Sequence, residues 1–169
     1  MKQLHPPFTS GSNRLRLLEE SDLPVTLKWR NRDGAREHFK TSDVLTWAAH
    51  QQWFVRYQAK ADDIVFIVED LGTGERVGQV AIYAIDAASR RAEVGRFVVA
   101  PEFAGQGRMR EAIVALMRFA ANQLSLSSVY LEVFETNLRA RRLYRALGFV
   151  EQTAIDGLMR MERNIDDYI

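Results

Sequence analysis

The stretch that most limits the fold of this 169-residue chain reads VVAPEFAGQGRMREAIVALM, over residues 98–117. A β-branched run halts at Pro101, glycines follow at 105 and 107, and apolar residues then recur at helical spacing. That is the outline of a strand, a glycine loop and a helix start. The first turn of a helix has N–H groups without intrahelical acceptors and the positive end of the helix dipole, so such a junction can seat a phosphate. Two common nucleotide loops do not fit. GQGRMR puts Arg110 where a dinucleotide fingerprint needs its third glycine, and the Gly-Lys-Ser/Thr of a P-loop is absent. What remains is either a plain surface turn before a helix or a loop whose main-chain N–H groups, over about residues 105–110, suit a diphosphate, with Arg108 and Arg110 adding positive charge and no metal required.

The other segments supply a frame for that junction. Residues 1–13 are rich in Pro, Ser, Gly and Asn and read as a flexible arm, which leaves 14–169 as one domain. Alternation over 14–18 predicts a strand. Asp22 can cap a helix carrying Leu23, Leu27 and Trp29, broken by NRDG at 31–34, and Thr46 can cap a second helix to residue 58. Strands are expected over 64–69, 76–85, 90–100, 128–135, 149–155 and 158–164, with a hairpin turn at LGTGE. Helices are expected over 109–123 and 137–147, the latter ended by Gly148. This order gives a mixed α/β, layered architecture.

Composition removes several function classes. Lys and Arg number 23 against 22 Asp and Glu, so a net charge of +1 offers no global argument for nucleic acid or an anionic membrane. The absence of cysteine excludes a disulfide framework, a thiolate metal site and a cysteine nucleophile. The N-terminus has no apolar signal core and no run is long enough to span a bilayer, so a cytoplasmic location is expected.

Two segments carry a family resemblance. AEVGRFVVAPEFAGQGRMREAIVALMRFA resembles the acetyl-CoA-binding motif of the GNAT superfamily of N-acetyltransferases, and LEVFETNLRARRLYRALGF resembles its second motif, with Asn137, Ala140, Tyr144, Gly148 and Phe149 in place. The likeness covers about residues 14–165. The first motif departs at both ends: Ala104 stands where a polar residue is usual and Met109 where a Gly or Ala is, while Gly107 is kept. The resemblance implies a mostly antiparallel sheet with a central splayed parallel strand pair and helices on both faces. It implies that acetyl-CoA binds through Phe97, Val98, Val99, Gly105, Gln106, Gly107, Arg108, Met109, Arg110, Asn137 and Tyr144. The pantetheine arm would lie between the strands at 93–100 and 128–135, and Arg110 and Arg139 are candidates for the 3′-phosphate or adenine.

Transfer of acetyl from a thioester to an amine needs a neutral amine, a stabilised oxyanion and a protonated leaving thiolate. Tyr144 matches the family position that donates the last proton. Taken alone it reads as a core tyrosine beside Phe149, but its spacing from Asn137 favours the acid. A main-chain N–H near 97–99 would meet the oxyanion. Glu93 is the candidate base, and a strand-end carboxylate paired with Arg91 is the competing reading.

All three tryptophans, Trp29, Trp47 and Trp53, lie in the first third of the chain, where the family's acceptor site is walled. Trp29 and Trp47 read as cover for the sheet. Arg30, His50 and Trp53 are the candidate acceptor residues, and Arg30, Arg32 and Arg36 make the segment basic. LKWRN with HQQWF is similar to GNAT enzymes acting on nucleotide-linked amino sugars. A small-molecule amine of that class is the leading expectation, with protein N-termini and polyamines as alternatives and a catalytically weak CoA-binding domain as a further one. Nucleic acid and membrane are not expected as partners, and a homodimer is compatible with the reading.

Overall fold

A computed structural model describes residues 2–32, 35, 38–39 and 43–169. Among these, eight strands form one sheet: β1 (Phe8–Ser10), β2 (Asn13–Leu17), β3 (Asp63–Asp70), β4 (Arg76–Asp86), β5 (Arg91–Val99), β6 (Ser128–Phe134), β7 (Val150–Ile155) and β8 (Leu158–Asn164). Their spatial order is β1-β2-β3-β4-β5-β6-β8-β7. The helices are α1 (Leu23–Asn31), α2 (Trp47–Gln58), α3 (Arg108–Asn122) and α4 (Leu138–Ala146). Every described strand pair is antiparallel except β5–β6, which is parallel.

Strand β3 shows why the sheet has helices on both faces. Successive side chains point to opposite faces. Ile64, Phe66 and Val68 pack in one core with Ile113, Leu116 and Phe119 of α3. Val65 and Ile67 pack in a second core with Leu23 and Trp29 of α1 and Phe54 and Tyr57 of α2. A strand covered on both faces is apolar at consecutive positions, as DIVFIVED is.

The stretch expected to be a flexible arm carries β1, and that expectation is corrected. Phe8 pairs with Leu15 and its ring stacks on Phe119 at 5.4 Å, so burial against α3 overrides a weak local preference. Arg36, and Asp33 and Gly34 of the expected break, lie outside the described residues. Among the described residues no helix is long and apolar enough to cross a membrane.

Asp22 precedes α1 as expected, but its side chain makes no cap bond to that helix. Its carboxylate accepts from Arg16 at 2.8 Å, from Arg76 at 2.8 Å and from the N–H of Glu19 at 2.8 Å, and it is fully buried. Burial alone would raise its pKa. The bonds from Arg16, Glu19 and Arg76 outweigh that and hold it below the ordinary carboxylate value. A depressed folded-state pKa stabilises the fold above the unfolded value, about pH 3.9, and the contribution is lost as pH falls through the folded value. Asp22→Ala leaves the mostly buried Arg16 without this partner, so we expect a loss of about 3–5 kcal/mol, read from urea unfolding midpoints at pH 7. A loss below about 1 kcal/mol would show that Glu69, which also pairs with Arg16 at 2.9 Å, compensates.

Candidate active site

The site begins where two strands part. β5 and β6 pair only at Arg91–Ser128, Ala92–Val129 and Glu93–Tyr130. Beyond Glu93 they separate, and a slot of about 260 Å³ opens between them. Phe97, Val98, Val99, Met109, Asn137 and Tyr144 line it, as does Val133 from β6. Six residues expected to meet the cofactor from distant segments are therefore gathered at one gap. Tyr144 is half-buried, with its ring 6.0 Å from Phe97 and 6.1 Å from Phe149. Burial pushes the pKa of its hydroxyl up, so it stays protonated well past neutrality.

β5 also carries a bulge. Ala81 pairs with Gly95 and Gln79 with Val98, so Arg96 and Phe97 together face a shorter span of β4. Arg96 sits at φ 53°, a left-handed conformation uncommon for a residue with a side chain. Its carbonyl accepts from Gln79 at 3.0 Å, and its guanidinium bonds both oxygens of buried Asp63 at 2.7 and 3.2 Å. These contacts hold the bulge beside the slot, next to the main chain expected to meet the oxyanion.

The glycine loop lies between β5 and α3. Gly105 and Gly107 have φ of 76° and 72°, and Gly107 is the N-cap of α3. The first helical bond runs from the N–H of Glu111 to the carbonyl of Gly107, so the N–H groups before Glu111 lack an i−4 acceptor. A Cβ at either glycine would meet nothing within 4 Å, so the space around the loop is open. Exposed backbone donors at a helix start, followed by a slot between parted strands, fit a pyrophosphate and an extended amide arm.

One expected detail differs. The Arg108 side chain does not add charge to the loop. It is buried and bonds Asn13 Oδ1 at 2.9 Å, the Ser12 carbonyl at 3.0 Å and Asp70 at 2.8 Å, while Asn13 Nδ2 donates to the Arg108 carbonyl at 3.0 Å. It ties the start of α3 to the β1–β2 and β3–β4 hairpins. Gln106 turns back to the Glu102 carbonyl at 3.2 Å, and Arg110 and Arg139 are exposed.

A larger cavity, about 560 Å³, adjoins the slot and shares Val94, Gly95, Arg96, Val98, His38, Phe39 and Glu132 with it. Arg30, His50 and Trp53 all line this chamber, with Glu93 and Tyr83 at its sheet wall. His50 bonds Thr26 Oγ1 at 2.9 Å and stacks on Trp53 at 5.7 Å; burial, then the Arg30 charge, lowers its pKa. Trp29 is core and Trp47 is exposed outside the chamber. Glu93 is not matched with Arg91, which bonds Glu162 at 3.0 Å; the Tyr83 hydroxyl reaches Glu93 at 3.3 Å.

Three residues outside the named candidates also border the site. His38 lines both cavities and its Nδ1 lies 3.3 Å from the Asn137 amide. Glu132 and Arg96 also border both. Strand parity would have placed Glu132 on the same face as Tyr130 and its register partner Glu93 once β6 was assigned, but nothing local marks the bulge or the His38 contact.

Residues 14–150 match the sequence profile of the acetyltransferase (GNAT) domain. The chain is 28% identical over 141 residues to spermidine N(1)-acetyltransferase of Escherichia coli K12, covering 83% of this chain and 74% of that one. It superposes on the Vibrio cholerae spermidine N-acetyltransferase in complex with CoA and spermine with a TM-score of 0.83 at 26% identity, covering 93% of this chain and 98% of the other. In fold alone it also matches apo FdhC, a nucleotide-linked sugar GNAT, with a TM-score of 0.85 at 15% identity over 98% and 93% of the two chains. Parted strands, a glycine loop opening a helix and a profile match over most of the sequence agree: the chain belongs to the GNAT N-acetyltransferases, which take acetyl-CoA as cosubstrate.

Proposed function

We propose that this enzyme acetylates a primary amine of a small molecule held in the 560 Å³ chamber, and that the acceptor is a polyamine. The observation that carries the site assignment is the continuity of the chamber, which holds Glu93, with the slot, which holds Tyr144. Acetyl-CoA supplies a thioester carbonyl. The amine nitrogen bonds to that carbon, and the carbon–sulfur bond breaks. Glu93 takes the proton the nitrogen loses, and Tyr144 gives one to the departing sulfur. The bulge at Arg96 sets the main-chain donors that face the carbonyl oxygen.

Polyamine acceptors are supported by the two spermidine acetyltransferases above. The chamber's charges permit it. The basic segment expected from Arg30, Arg32 and Arg36 does not form a basic chamber among the described residues: Arg32 lies on the slot, and the charge of Arg96 is met by Asp63. Arg30 and Arg56 are then balanced by Glu93 and Glu132. An ammonium group gains from the two carboxylates, and repulsion from the arginines no longer decides against it.

A nucleotide-linked amino sugar is the second reading, favoured by the Trp53, Arg30 and Arg56 side chains that line the same chamber. The test is release of CoA thiol with spermidine, spermine, nucleotide-linked amino sugars and N-terminal peptides. We expect the polyamines to give the highest kcat/KM. Turnover of the amino-sugar nucleotides with spermidine inert would install the second reading, and Arg30→Ala should then raise their KM about tenfold or more.

A further inference from the structure

We propose that Tyr83 is a positioning residue for Glu93: its hydroxyl, lodged where Gly95 has no Cβ, holds the carboxylate at the junction of chamber and slot. Tyr83 and Glu93 are direct partners in the antiparallel β4–β5 register, so their side chains share a face. Gly95, two residues on, lies on that same face, diagonal to Tyr83. The tyrosine leans across it. A Cβ on Gly95 would collide with the Tyr83 oxygen, so only glycine leaves room for the hydroxyl at this place.

The other side of the ring is also fixed. The Arg96 guanidinium lies 4.1 Å from the Tyr83 ring centroid and is itself held by Asp63. From this seat the hydroxyl donates to Glu93 Oε2 at 3.3 Å. Burial, then the neighbouring Glu93 charge, raises the Tyr83 pKa, which keeps the group a donor throughout the working range. A donor to the carboxylate stabilises its charged form, the form that accepts a proton.

The titratable and charged groups sharing the chamber are Arg30, His50 and Arg56 from α1 and α2, His38 from the loop between those helices, Arg96 from β5 and Glu132 from β6. All are retained in Tyr83→Phe and Gly95→Ala, so a change common to both variants reports the hydroxyl contact.

The contact is read first without turnover, by 13C NMR of protein labelled at the glutamate carboxyls, with the Glu93 signal assigned from Glu93→Gln. Tyr83→Phe keeps the ring and should raise the Glu93 titration midpoint by about half to one pH unit. Gly95→Ala should raise it in the same direction by displacing the hydroxyl. A midpoint unmoved in both variants overturns the inference.

The catalytic consequence rests on Glu93 as the base. With spermidine as probe, or the amino-sugar nucleotide if the panel identifies that instead, the acidic limb of kcat/KM should move up by the same amount in Tyr83→Phe, with KM for acetyl-CoA unchanged. A merely structural role would not move the limb. If Glu93→Gln keeps the acidic limb, the base reading and this inference fall together. If Glu93→Gln abolishes the limb while Tyr83→Phe leaves it unmoved, this inference alone falls.

Discussion

Gly107→Pro is expected to raise the dissociation constant for acetyl-CoA by about 100-fold or more, to the point where calorimetry detects no binding. Two effects combine. Gly107 has φ 72°, whereas proline is confined near −65°, so the loop must leave its observed path. Proline also removes an N–H from the row of donors that precedes the first helical bond of α3. Both effects act on the bound cofactor, and a 100-fold weaker affinity corresponds to about 2.8 kcal/mol of binding free energy. The variant should still fold. The position is exposed, a Cβ there meets nothing within 4 Å, and the body of α3 is anchored by Ile113, Leu116 and Phe119. Gly107→Ala separates the two effects, because it strains the left-handed backbone by only ~1–2 kcal/mol and keeps the donor. Full affinity in a folded Gly107→Pro protein would move the pyrophosphate away from this loop.

The loop was legible in the sequence because its signals are local: a β-branched run, a stop at Pro101, and two glycines that both take positive φ. The same holds for β8, expected over 158–164 and found at Leu158–Asn164. The Thr46 cap also appears as read, accepting from the N–H of Ala49 at 3.2 Å. What escaped depends on partners distant in the chain. Nothing near Phe8 announces that Phe119 waits to stack on it. Arg108 reads as a phosphate ligand until Asn13 and Asp70 are brought to it by two hairpins. Asp22 reads as a helix cap, yet Arg76 and Arg16 take its oxygens first, since a buried carboxylate gains more from guanidinium partners than from one helix N–H.

The acceptor chamber was the least legible part for the same reason. Its charge could not be counted from α1 alone, because Asp63, Glu93 and Glu132 come from three other strands. Nearness in sequence does not fix nearness in space: Arg30 lines the chamber and Arg32 the slot.

Tyr144→Phe should lower kcat by about tenfold to a thousandfold while changing KM for acetyl-CoA little. The ring that packs between Phe97 and Phe149 is kept, so the slot should retain its shape. What is lost is a proton donor aimed at a group that becomes basic only as the carbon–sulfur bond breaks, and a loss confined to the transition state appears in kcat. Burial bears on the pH profile too. A raised hydroxyl pKa means that Tyr144 remains protonated throughout the usual assay range, so it should impose no alkaline limb on kcat up to about pH 10. An alkaline limb centred near pH 8 that vanishes in Tyr144→Phe would contradict the burial described for this side chain. Full kcat in the variant, with single-turnover kinetics showing that chemistry limits the rate, would assign the proton to water or to another residue at the slot. His38 would be the first to examine, because it alone among the chain's histidines borders both cavities and contacts Asn137 at the start of the helix that carries Tyr144.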